Sequence, residues 1–277
     1  MNDKSESINL NTSKTIQYFS FKHNGESLPK DKAPVCAMSL KKAGSMRFRW
    51  AEQNPNRDSF LLQAAGTKLV TPVELNHTKI VYDVKEQSDT LNKIGDGIIT
   101  RNKMLMPVVT VADCMPIFLY EPKTQVFGIV HSGWKGTGIA AEAIKVANKI
   151  YGSEPENFCI ILGPHIHECC YIVNEERAEY FVQNFTPDCV TELEDGGKCL
   201  CGGRGLSIDW NNGGGKLYRL SLQKANIAML LKCGIKEENI VQSSDCTCCD
   251  TIYGSNRRET SEGKTFTVQV AFIKWPE

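Results

Sequence analysis

From Pro107 onward the chain passes through a series of apolar runs of strand length with almost no room between them. "PVVTVAD" runs straight into "MPIFLY", and the turn "EPKT" leads at once into "TQVFGIV". "FCIILGP" then follows a single helix-length stretch. Runs of this length and apolarity, bounded by turn residues, read as buried strands, and short connections make sequence neighbours into sheet neighbours. One place breaks the pattern. Asp113 and Cys114 stand side by side where the first run meets the second, and a chain that needs only a core strand puts neither a carboxylate nor a thiol there.

The stretch between the third and fourth runs, "HSGWKGTGIAAEAIKVANKIYG", changes period. Ile139, Ala143, Val146, Ala147 and Ile150 repeat at helical spacing, while Glu142, Lys145 and Lys149 take the other face. His131 therefore stands where a strand stops, and a glycine-rich turn delivers the chain into an amphipathic helix. Elsewhere "TIQYFSFK" and "TKIVYDV" read as strands, "NPNRDSFLLQAAG" as a helix stopped by Gly66, and "NEERAEYFVQNF" and "SLQKANIAMLLKCG" as further helices. "TFTVQVAFIKW" alternates well enough for a last strand. Between Thr186 and Leu217 the glycine-rich stretches "EDGGKCLCGGRG" and "NNGGG" read as a surface excursion, since patterned sequence resumes on both sides. Residues 1–14 are polar and are expected to be disordered, leaving 15–277 as one catalytic domain.

Lys plus Arg and Asp plus Glu are 32 each, so charge gives no pull toward nucleic acid or an anionic membrane. No apolar run approaches the ~20 residues that span a bilayer. The polar start lacks the apolar centre of a signal peptide, and the chain is expected in the cytoplasm. Twelve cysteines in such a chain read as reduced thiols, some packed as small hydrophobes and some available to a metal.

Five histidines can each be weighed. His23 reads as solvent-exposed. His77 opens the strand "TKIVYDV", and Cys114 and His131 end strands, so three borderline ligands can converge on one sheet edge. Two imidazoles and a thiolate match zinc with one coordination position left open. The same atoms also suit a nucleophilic Cys114 with His131 as base and Asp113 or His77 as orienter, and nothing local separates the two. The turn "HSGWKGTG" offers free amides and Lys135 to an anion, although tight-turn glycines explain it equally. His165 and His167 alternate in "GPHIHECCY" and face one side. Cys169 and Cys170 read as a packed, reduced pair, and "CTCCD" and "CLC" are read as lacking the two-residue gap of a zinc knuckle.

Taken in order, "VELNH", "DGIIT", "VADCMPIFLY", "VHSGWKGT", "LGPHIHECCY", a late "CT" and a near-terminal "SNRRE" resemble the YfiH/laccase-domain family. The resemblance extends from about Cys36 to the C-terminus. It implies an α+β fold of mixed sheets flanked by helices, and a zinc site made by His77, Cys114 and His131. It implies phosphorolysis of purine nucleosides (adenosine, inosine, guanosine, methylthioadenosine) together with adenosine deamination. The family's older description as a multicopper polyphenol oxidase fits less well, because several copper centres need more histidines than five. The chain departs from the family at His165 and His167, where small residues are usual, at Lys135, where arginine is common, and in the length of the insert around Cys199. For the implied chemistry Asp113 is the nearest proton shuttle, unless it serves as a buried hydrogen-bond partner. Arg57, Lys135, Arg257 and Arg258 are the phosphate-binding cations chosen by charge.

Overall fold

The computed structural model describes residues 14–193 and 215–277, so the expected disorder of 1–14 and the cysteines of "CLC" fall essentially outside the described residues. Chain order begins with β1 (Ile16–Phe19), the small hairpin β2 (Lys22–His23) and β3 (Glu26–Ser27), β4 (Val35–Ser39), helix α1 (Pro55–Ala65) and β5 (Leu69–Pro72). It continues through β6 (Val81–Asp83), β7 (Gly97–Thr100), β8 (Leu105–Val111), β9 (Met115–Glu121), β10 (Val126–Ser132) and α2 (Ile139–Tyr151). Then come β11 (Cys159–Leu162), β12 (Ile172–Asn174), α3 (Glu175–Asn184), β13 (Val190–Glu192), β14 (Leu217–Leu220) and α4 (Leu222–Lys232). The last elements are β15 (Ile240–Gln242), α5 (Asn256–Ser261) and β16 (Gln269–Lys274).

Two mixed sheets carry the architecture. One has the order β1-β4-β16-β8-β5 and the other β15-β11-β9-β10-β7-β6. Their facing surfaces share one core, in which Val109, Val111 and Ile273 meet Phe118, Tyr120, Phe127 and Ile161. On the far side of the second sheet, Ile139, Ala143, Ile144 and Ala147 of α2 pack on Ile117, Leu119 and Val130. On the far side of the first, Leu61 and Ala65 of α1 pack on Met106, Val108 and Phe272. The result is α+β, helix on sheet on sheet on helix.

The apolar runs explain this layering. β8, β9 and β10 are buried along nearly their whole length, as strands covered on both faces must be. β9 and β10 form an antiparallel hairpin, and its turn is held by the buried Glu121 carboxylate, which accepts from the Lys123 and Thr124 amides at 2.9 and 2.7 Å. β7 rides so close on β10 that a Cβ on Gly128 would lie 2.3 Å from the Ile98 carbonyl oxygen. Helix α2 starts after Gly138, whose φ of +91° suits glycine. Each fully buried isoleucine on its inner face is worth about 1.5–3 kcal/mol.

Three expectations need correction. Ile150 is largely exposed, and Ala140 and Ile144 take the inner face of α2 instead. The strand read from Thr78 begins only at Val81, so His77 sits in a turn with φ +54°. The excursion begins later than Thr186, because Val190–Glu192 pairs with β14. Among the described residues no helix is long and apolar enough to cross a membrane.

Candidate metal centre

The broken apolar run is the passage from one sheet to the other. β8 belongs to the first sheet and β9 to the second, and Ala112–Cys114 carries the chain between them. Asp113 takes φ +77°, a left-handed conformation that turns the backbone there. Cys114 immediately precedes β9. His131 pairs with Pro116 across the hairpin, which makes it a diagonal, same-face neighbour of Cys114. His77 arrives from the turn before β6, which pairs with β7 beside β10. The ligand atoms of His77, Cys114 and His131 all lie within 4.8 Å of one another. The two imidazoles meet edge to face with centroids 4.9 Å apart. Gly133 keeps the space between them open, since a Cβ there would stand 2.9 Å from the Cys114 sulfur and 3.2 Å from His77 Cδ2.

Asp96, just ahead of β7, organises this set. It is fully buried, and Oδ1 accepts from the His77 amide at 3.0 Å and pairs with His131 Nδ1 at 2.9 Å. Its Oδ2 accepts from the Thr78 amide and hydroxyl, each at 2.6 Å. The Asp96 backbone carbonyl also accepts from the His131 amide at 2.7 Å. With Nδ1 bound to the carboxylate, His131 presents Nε2 as its ligand atom, the outer-shell arrangement common behind metal-binding histidines. Burial pushes the Asp96 carboxyl up, but the hydrogen bonds from His131 and Thr78 outweigh it and hold it below its ordinary value. Burial likewise pushes the Cys114 thiol up, and His131 and His77 more than reverse this, bringing it down to about 7. Burial disfavours the His131 cation, while Cys114 and Asp96 favour it and raise that group to about 9. A thiolate beside two imidazoles is a donor set that suits a borderline metal ion with three protein ligands.

The set borders a cavity of about 480 Å³. Four arginines reach it, Arg47, Arg49, Arg177 and Arg257, together with the aromatic side chains of Phe48, Trp134, Tyr171 and Phe266. The Arg177 guanidinium lies 4.4 Å from the Trp134 ring centroid, and that of Arg257 lies 5.7 Å from Tyr171. Arg257 also donates to the Ile172 carbonyl at 3.3 and 3.4 Å.

Of the four cations chosen from charge, only Arg257 lines this cavity. Arg57 lies in a separate, mostly apolar pocket, where it pairs with Asp58 and donates to the Arg47 carbonyl. Lys135 is exposed, its ammonium 5.2 Å from the Trp134 ring centroid. Arg258 is buried and spends its guanidinium on the carbonyls of Thr247, Cys248, Asp250 and Tyr253. Asp113 lines the cavity, but Thr247 Oγ1 and the Arg257 amide occupy its two oxygens at 2.7 and 2.6 Å. Burial raises its pKa against those hydrogen bonds. Ile166, not His165 or His167, lines the cavity, and the two histidine rings lie against each other with centroids 4.4 Å apart and planes tilted by 42°. The sequence reading overlooked Asp96, although it opens the quoted "DGIIT", and it passed over Arg47, Arg49 and Arg177.

Solved structures share this fold. Bacillus licheniformis YfiH superposes with a TM-score of 0.72 at 24% identity, covering 88% of this chain and 93% of that one. YlmD from Geobacillus stearothermophilus gives 0.73 at 23% identity, covering 90% and 94%. In sequence, human "Purine nucleoside phosphorylase LACC1" is 30% identical over 190 residues, 66% of this chain and 38% of LACC1. "Purine nucleoside phosphorylase YlmD" of Bacillus subtilis is 31% identical over 181 residues, 64% of this chain and 57% of YlmD. "Adenosine deaminase RL5", from an unknown prokaryotic organism, is 28% identical over 188 residues, 67% of this chain and 65% of RL5. The match thus spans little more than a third of LACC1 and somewhat over half of Bacillus subtilis YlmD. A family model described as multi-copper polyphenol oxidoreductase laccase matches residues 51–272, a span that holds His77, Asp96, Cys114 and His131, and this chain belongs to that family.

Proposed function

We propose that this chain is a zinc-dependent purine nucleoside phosphorylase that also deaminates adenosine. The observation that carries the reading is the convergence of His77, Cys114 and His131 at the edge of a cavity walled by arginines and aromatic rings. Relatives named as phosphorylases and as an adenosine deaminase support it. A zinc ion, when bound, supplies Lewis acidity to the attacking or departing group. Zinc is favoured over copper by the donor set, two imidazoles and one thiolate with a position left open.

The chain's own residues supply the rest. Asp96 fixes the His131 tautomer and the turn that carries His77. Trp134, Tyr171, Phe48 and Phe266 offer flat apolar faces to a purine. In phosphorolysis a phosphate oxygen bonds to C1′ of the ribose as the C–N bond to the purine breaks, and the cavity-lining Arg177 and Arg257, joined by Arg47 and Arg49 on leaving their partners Glu52 and Glu74, would hold that phosphate. In deamination water adds at C6 and ammonia leaves.

The Cys114–His131 pair, with its lowered thiol and raised imidazole, also fits a metal-independent cysteine hydrolase. Chromatography of products from adenosine, with and without phosphate and with and without chelator, decides between them. Adenine formed only with phosphate, inosine formed without it, and loss of both on chelation are expected. Turnover that survives complete metal removal would refute the zinc assignment. Cys114→Ala is expected to abolish both products while the protein remains folded.

A further inference from the structure

Four cysteines outside the candidate active site are gathered in one place. Cys169, Cys170, Cys246 and Cys249 bring their sulfurs within 4.8 Å of one another. Cys170 and Cys249 are 3.3 Å apart, Cys169 and Cys249 3.5 Å, and Cys169 and Cys170 3.9 Å. A disulfide needs about 2.05 Å. Four sulfurs each about 2.3 Å from a tetrahedral ion lie about 3.8 Å from one another, and the observed edges bracket that spacing.

The local backbone explains how four thiols reach one point. Neighbouring side chains diverge along a strand, but Glu168–Cys170 form a turn in which the amides of Cys170 and Tyr171 both donate to the His167 carbonyl, each at 2.9 Å. Cys169 and Cys170 therefore fall on one side. The second pair comes from another turn, where the amides of Cys249 and Asp250 donate to the Cys246 carbonyl at 3.1 and 2.9 Å. Cys246 and Cys249 are separated by Thr247 and Cys248, so the two-residue gap of a zinc knuckle is present after all, hidden by the cysteine inside it. A bridge between His165 and Cys246 registers the two turns.

We propose that Cys169, Cys170, Cys246 and Cys249 form a second, closed metal centre that holds a structural zinc ion through four thiolates. Such a centre carries two net negative charges, and two buried guanidiniums hold its turns. Arg219 donates to the Cys169 carbonyl at 3.1 Å, and Arg258 to those of Thr247 and Cys248 at 2.7 and 2.9 Å. The His167 amide points at the Cys246 sulfur at 3.4 Å, as amides do toward metal-bound thiolates. Thr247 also donates to Asp113, which ties this centre to the passage that carries Cys114.

Metal analysis of the purified Cys114→Ala protein tests this without touching the cluster. Retention of one zinc equivalent per chain is expected, and metal-free Cys114→Ala protein would overturn the proposal. Cobalt substituted into the same variant is expected to show thiolate-to-cobalt charge transfer, and its absence would count equally against a four-thiolate site. A Cys169→Ser, Cys249→Ser double variant is expected to lose that equivalent and to unfold at lower temperature. If the double variant cannot be purified, the Cys114→Ala measurements still decide. Neither readout depends on the reaction proposed above, so the two ideas fail separately.

Discussion

Asp96→Asn is the most informative single change, because Asp96 receives four donors on two oxygens. An amide has only one oxygen. Placed toward His131 and His77, it leaves an NH2 group facing the half-buried Thr78 amide, and that donor goes unpaired. That costs about 1–3 kcal/mol of stability, a substantial share of a native margin of about 5–15 kcal/mol. Turned the other way, its NH2 faces His131 Nδ1 and drives the ring to the tautomer protonated on Nε2, which has no lone pair on that nitrogen for a metal. The first arrangement keeps the tautomer but loses the carboxylate charge behind it. Removal of such an outer-shell partner lowers metal affinity about 10–100-fold. Competition against a chromophoric chelator reads the affinity, and a urea midpoint at constant slope reads the stability. An unchanged competition curve would refute the claim that Asp96 organises the ligands, whatever the activity.

Gly133→Ala places a methyl among the three ligands, 2.9 Å from the Cys114 sulfur by ideal geometry, and is expected to lower bound metal while circular dichroism stays native. Arg177→Ala removes a cation from the cavity wall; at ~1.5–3 kcal/mol per charged hydrogen bond, KM for phosphate is expected to rise about tenfold to a hundredfold, with chelator competition unmoved. Glu259 is buried, so its desolvation pushes the carboxyl pKa up, but Lys41 and the amides of Thr267 and Ser255 outweigh this and hold it below its unfolded value. The unfolded chain therefore takes up a proton first as pH falls, and Glu259 stabilises the fold above the usual glutamate range but progressively less through the acid window beneath it. Glu259→Gln is expected to flatten that part of the stability curve relative to wild type, and parallel curves would contradict the assignment.

Strands and helices were readable where burial leaves a pattern. The β8 to β11 series is apolar because sheets and helices cover it on both sides, and Pro55–Ala65 announces itself by Asn54 before Pro55 and by Gly66 after. Cys114 and His131 were readable for the same reason: a thiol and an imidazole at the ends of such strands stand out. Asp96 was not, because a carboxylate before a strand looks like any turn residue until its four donors are seen. Arg57 and Arg258 show the limit of choosing by charge, since one pairs with its neighbour Asp58 and the other stitches a loop of carbonyls. The pair Cys246 and Cys249 was masked by Cys248 between them. The His77 turn carried no strand signal of its own, only proximity to one.

The β9–β10 hairpin has a bearing on synthesis. His77, Asp96, Cys114 and His131 all lie in one interval of the chain, and Cys114 meets His131 through a single hairpin closure, an event of about 1–10 μs. The first sheet is ordered differently. β16, far later in the chain, inserts between β4 and β8, so that sheet cannot close until Lys274 has left the ribosome. Ribosome-arrested chains that end after α2 should therefore retain metal in a way that Cys114→Ala chains of the same length do not. On this order of events the hairpin that brings Cys114 to His131, not the finished first sheet, is a fixed point around which the nascent chain can arrange itself.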